Sequence, residues 1–261
     1  MEMTFDQYIA NPMGIKNSVY SNKEMYRQLY TEKLDKILLR EVGNVKYHLY
    51  YDKDNYYVFM KIPSEVVENF YYDTVIMFYT NDETVKMKKT LKEYNVKFYS
   101  NDPSFVYTFA HAMLENDLFI RDLVPRMSKE AIKKVASEKN PKNEIGYVKS
   151  IYFTYLLMNN YGLFQKIKFE SEGEKYDKKR LLSLITHADD KIKDRQIKGK
   201  EVADKKRAEK LKENRKKVYD DNNNRILSNP VNRSHHISTV KKTSLVKKTN
   251  SVSKTSRIKN K

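Results

Sequence analysis

Residues 45–62, VKYHLYYDKDNYYVFMKI, decide how this chain reads. Val45, Tyr47, Leu49 and Tyr51 alternate with more polar neighbours, and Tyr56, Val58, Met60 and Ile62 do the same. Period-two alternation is the mark of a half-buried strand, and Asp52-Lys53-Asp54-Asn55 between the runs supplies turn residues. The stretch therefore predicts a β-hairpin. Pro63 closes the second strand because it has no N–H to give to a ladder.

Working outward, Ser64 to Asn69 reads as a short helical turn, followed by a third strand at 72–80, YDTVIMFYT. Asn81-Asp82 is placed to cap a polar helix over 83–93, and Val96 to Tyr99 is a short fourth strand. Asp102 before Pro103 is a strong helix start, since proline fits the first helical position, where no N–H partner is needed. The helix it opens, SFVYTFAHAMLEN, is apolar on nearly all sides and belongs in a core. Ser128, after Pro125, predicts a helix to about Glu138. Residues 146–161, GYVKSIYFTYLLMNNY, predict a second apolar helix ending at Gly162.

Upstream, 22–40 has helical spacing through Met25, Leu29, Leu34, Ile37 and Leu38. Ser21 and Glu24 are spaced as a capping box, and Asn11-Pro12-Met13-Gly14 is a turn. The expected class is α+β, a small, largely antiparallel sheet packed with apolar helices. The expected division is an N-terminal arm at 1–21, a compact domain at 22–169, a charged helical extension at 170–221 and a basic low-complexity tail at 222–261. In the extension, one long helix is expected from Asp177 to about Asp220. Leu181, Ile185, Ala188 and Ile192 form its 4-3-4 seam against the body or a partner helix, and Asp220 to Asn224 break it.

Charge is divided unevenly. The chain has 261 residues and a net charge of +17, of which +16 lies after Asp190. Aromatic residues nearly vanish there too, so the last third cannot offset its chain entropy by burial. From 226 to 261 there are nine bases and no acid: Arg233, Lys241, Lys242, Lys247, Lys248, Lys254, Arg257, Lys259 and Lys261. Val-Lys-Lys-Thr recurs at 240 and 246, with Val-Ser-Lys-Thr at 252. Such a tail is expected to be disordered alone. Its bases are the candidate binding residues, for nucleic acid (DNA ahead of RNA) or for an acidic protein surface, because bases near a polyanion release its condensed counterions. A homo-oligomer is the further expected association.

Other classes find little support. No stretch approaches the ~20 apolar residues that cross a bilayer, and the start, MEMTFDQYIANPMG, lacks the basic and apolar regions of a secretory leader. With no cysteine there is no thiol nucleophile or thiolate metal site. Six glycines leave no phosphate-cradling loop, and no GxSxG or HExxH occurs. His48, His111, His187, His235 and His236 are scattered, and Asp52-x-Asp54 lacks the glycine and distant glutamate of a calcium loop. No catalytic residue, metal ligand or cofactor is expected. An enzyme such as a nuclease would need carboxylates converging in space. The interleaving of Lys46, His48 and Tyr50 with Tyr57, Phe59 and Lys61 offers a further candidate, a stacking platform for single-stranded bases. That platform, together with the tail, would suit a regulatory or replication accessory protein.

The run Asn11-Pro-Met-Gly-Ile-Lys-Asn, with Ser21-Asn-Lys-Glu-Met-Tyr-Arg-Gln-Leu-Tyr, resembles proteins encoded among the particle-assembly genes of tailed bacteriophages from low-GC hosts. The likeness covers about the first 40 residues and carries no catalytic motif. It implies a non-enzymatic structural or adaptor protein of the head, neck or tail, found in the virion or the host cytoplasm.

Overall fold

The computed structural model describes residues 2–10, 32, 33, 35, 36, 45–53, 55–146 and 148–228, with 219–228 as helical backbone alone. The expected helix at 22–40 lies outside the described residues except at 32, 33, 35 and 36, which are helical. The tail beyond 228 also lies outside them.

In chain order, helix α1 (Phe5–Ala10) precedes strands β1 (Tyr47–Asp52), β2 (Asn55–Pro63) and β3 (Tyr71–Tyr79). Helix α2 (Glu83–Lys86) leads to β4 (Asn95–Ser100), and α3 (Ala110–Glu115) to α4 (Lys129–Lys133) and α5 (Lys149–Asn160). Then come α6 (Lys166–Glu172), β5 (Glu174–Lys175), α7 (Lys178–Leu184) and α8 (Ala188–Ser228). The sheet order is β4-β3-β2-β1-β5, antiparallel except where the two-residue β5 joins β1 in parallel. The class is α+β. The hairpin register pairs Tyr47 with Met60 and Asp52 with Asn55, which sends Val58, Met60 and Ile62 to one face. Between Ile62 and the third strand the chain makes bends and a turn in place of the expected helical turn.

Helices cover both faces. On the first face, Phe5 of α1 meets Phe78 and Phe98 at 6.2 and 5.5 Å between ring centroids, and Ser150 of α5 meets Ser100 at 3.0 Å. On the second, Tyr176 stacks on Tyr57 at 4.2 Å, and the Tyr99 hydroxyl donates to the Arg126 carbonyl at 3.1 Å. The expected N-terminal arm is part of this core: Phe5, Tyr8 and Ile9 are buried, and Tyr8 donates to the Gly146 carbonyl. Nor does the core end at Phe169. Leu181, Ile185, Ala188 and Ile192 are all buried in it, and residues 1–208 form one compact unit.

Helix lengths differ from expectation for identifiable reasons. The helix from Glu83 stops at Lys86, not at Glu93, although Asp82 accepts from the Thr84 N–H as a cap should. Residues 164–166 take its hydrogen bonds: Leu91 N–H donates to the Phe164 carbonyl, Lys166 N–H to that of Lys89, and Lys166 Nζ to that of Lys86. The helix after Ser128 runs only to Lys133. Ser128 makes no cap bond, and with no residue of α4 fully buried there is little packing to extend so short a helix. After Asp102 the chain is helical from Pro103, but Phe105–Phe109 forms a wide turn in which Ala110 N–H donates to the Phe105 carbonyl. That widening delivers Phe109 against Gly146, where a Cβ would meet the ring at 1.9 Å.

The single long helix expected from Asp177 is two helices, because tertiary partners remove a helical bond at the junction. Thr186 N–H would pair with the Leu182 carbonyl in an unbroken helix. Instead it donates to Asp73 Oδ2 at 2.9 Å, while Arg126 Nε donates to the Leu182 carbonyl at 2.8 Å. Beyond the junction α8 passes through Asp220 to Asn224 without breaking and ends at Ser228.

Candidate nucleic-acid interface

Helix α8 begins where Asp189 N–H donates to His187 Nδ1 at 3.3 Å, with Asp189 and Asp190 in the first turn opposing the helix dipole. Ala188 and Ile192 bury the first two turns. Cations add to this hold: Lys191 in the first turn and Lys198 in the third lie 5.1 and 5.5 Å from the centre of the Phe70 ring. Burial pulls the Lys191 pKa below its usual value, with the Asp73 carboxylate pulling the other way. From Ala203 to Ala208 the body no longer covers the helix. Every side chain from Ala203 to Ala208 is exposed, and within the second unit so is every one from Glu209 to Val218. Between Lys193 and Val218 stand twelve bases and five acids. Among the described residues the one ion pair there, Arg207 with Asp204 at 3.8 Å, is open to solvent on both sides.

The candidate binding residues of the tail, Arg233, Lys241, Lys242, Lys247, Lys248, Lys254, Arg257, Lys259 and Lys261, lie outside the described residues. The stacking platform does not exist as an open surface. Tyr50, Tyr57 and Phe59 are buried, Tyr57 beneath Tyr176, and burial pushes the Tyr57 pKa up to about 12. Lys61 is engaged with Asp73 at 3.2 Å. The sheet reads as exposed from one hairpin alone because the residues that cover it come more than 100 positions later.

The histidines stay dispersed. His48 is exposed beside the Tyr50 and Phe59 rings, and what burial it has lowers its pKa. His111 Nδ1 is 3.7 Å from Glu115, and His187 accepts at the start of α8. His235 and His236 lie outside the described residues. Asp52 pairs with Asn55 in the hairpin turn, and Asp54 lies outside the described residues. Among the described residues no three His, Asp or Glu side chains are grouped to hold a metal, and no helix is long and apolar enough to cross a membrane.

Linear reading did not find one polar cleft, of about 250 Å³, lined by Ser64, Glu65, Tyr72, Asp102, Lys149 and Arg195. Lys149 and Lys33 flank Glu65 at 2.6 and 3.0 Å, while burial raises the Asp102 pKa. Arg195 Nε is buried without a hydrogen-bond partner. Its residues come from five separated segments, so no spacing announces them. The chain matches no known family model, no curated protein and no solved structure.

Proposed function

We propose that this chain is a non-enzymatic structural or adaptor protein of a bacteriophage particle, acting in the virion or in the host cytoplasm during assembly. Its α+β body docks on other virion proteins. Its basic helix, with the tail that follows in sequence, contacts nucleic acid. The observation that carries this reading is the exposure of α8 on all sides from Ala203 to Ala208 and again from Glu209 to Val218. A helix without a buried face draws no stability from packing in its own chain, and isolated helices are marginal in water. Its surface is one for a partner, and an excess of bases selects a polyanion. The N-terminal resemblance to phage assembly proteins supplies the setting.

The test is binding of labelled duplex DNA by the full chain and by a chain ending at Ser228, across a range of salt. If about six tail bases meet phosphates, they contribute about −5 to the log–log salt slope of the full chain, and the shortened chain is flatter by that amount. Scrambling the DNA sequence changes affinity little, since phosphate contacts carry no sequence information. Absence of DNA and RNA binding by the full chain refutes the nucleic-acid role and turns the tail toward an acidic protein. Mass spectrometry of purified particles tests the virion assignment.

A further inference from the structure

The charges of α8 are sorted by face. At 100° per residue, positions spaced alternately three and four apart share one side of a helix. Lys193, Gln196, Lys200, Ala203 and Arg207 follow that spacing, and all five are exposed. The neighbouring strip, Asp190, Asp194, Ile197, Glu201 and Asp204, holds four of the acids. From Lys193 onward the first strip holds none, its one acid by the same spacing being the half-buried Asp189 in the first turn of the helix. Its polar members are three cations and one amide, so it consists of hydrogen-bond donors with a single small residue among them. The same three-four spacing runs on in the sequence to Lys210, Asn214 and Lys217, again without an acid.

We infer that this strip is the track along which the helix lies on a nucleic-acid backbone. The inference rests on the polyanion reading above and assigns it to named residues. Two features favour nucleic acid over an acidic protein. Protein interfaces are centred on apolar and aromatic anchors, and this strip offers only Ala203. Lys193, Lys200 and Arg207 recur every seven residues, about 10 Å apart, close to three base steps of a strand at ~3.4 Å each. Among the described residues no carboxylate lies within ion-pair distance of Lys193 or Lys200. Arg207 has only its long, solvent-exposed contact to Asp204, which a phosphate can replace.

The experiment measures binding of a labelled 20-base-pair duplex to the full chain by fluorescence anisotropy, from low to moderate salt. The variant Lys193→Gln with Lys200→Gln and Arg207→Gln is compared with Lys205→Gln, Lys212→Gln and Lys216→Gln, which removes equal charge outside the strip. All six positions are exposed, and unchanged melting curves verify that both variants fold. The strip variant is expected to weaken binding on the order of a hundredfold at 0.1 M salt and to flatten the log–log slope by about 2.7. The second variant is expected to lose less than about tenfold. Equal losses in the two, or no loss in the first, overturn the strip while the polyanion reading stands. No binding by the unaltered chain overturns the polyanion reading itself. Loss of capture on an acidic polypeptide column, with duplex binding unchanged, overturns the nucleic-acid assignment in favour of a protein.

Discussion

Asp73→Ala is expected to be among the most damaging single changes in the chain. The carboxylate is fully buried and accepts from Lys61 Nζ at 3.2 Å, Asn101 Nδ2 at 3.0 Å and Thr186 N–H at 2.9 Å. Alanine leaves the half-buried Thr186 N–H without its acceptor, at about 1–3 kcal/mol, whereas Asn101 Nδ2 keeps the Thr186 carbonyl at 3.2 Å and loses about 1 kcal/mol or less. Lys61 is about a third exposed and can turn to solvent, so its share is below ~1 kcal/mol. The expected total is about 2–4 kcal/mol, a large part of an ordinary domain's stability. The damage is also local, because Thr186 loses the bond that separates α7 from α8. Urea unfolding gives the total, and amide exchange at Thr186 reports the junction, which is expected to lose its protection. A change below about 1 kcal/mol with Thr186 still slow to exchange would refute the account of that break. Asp73→Asn is expected to destabilise less: its oxygen can still accept from Thr186, but its amide then faces Lys61 or Asn101, donor against donor.

Leu181→Asp with Ile185→Asp places two carboxylates in the core and is expected to detach α7, seen as fast amide exchange from Lys178 onward. Gly146→Ala drives a methyl into the Phe109 ring and is expected to cost about 1–3 kcal/mol or more in thermal unfolding. Phe109→Ala, which leaves a cavity at the same place, is expected to cost about 3–5 kcal/mol. Burial holds the Tyr57 pKa near 12, above its unfolded value near 10. The linked stability is thus fully present below pH ~10 and lost as pH rises through about 12. Tyr57→Phe is expected to flatten the stability profile across that window in unfolding titrations, and a profile unchanged there would remove Tyr57 as its source.

Local pattern announced four of the five strands and left β5 without a signal. The alternation in 45–62 with the turn between Asp52 and Asn55 set the hairpin, and the runs at 72–80 and 96–99 read as the next two strands, because each signal lies within a few residues of what it specifies. The 4-3-4 seam of Leu181, Ile185, Ala188 and Ile192 was legible for the same reason, and all four residues are buried. What only the tertiary structure decided is where helices stop and which faces are covered. The helix from Glu83 loses its bonds to residues 164–166, and the helix from Asp177 breaks because Thr186 and Leu182 find partners at residues 73 and 126. The aromatic face of the hairpin is closed by Tyr176, 119 residues after Tyr57. A backbone group or ring is satisfied by whatever packs against it, and a partner so distant in sequence leaves no periodic trace. The basic surface of α8 needed both kinds of information: periodicity sorts its charges into strips, and packing decides that the body releases the helix after Val202.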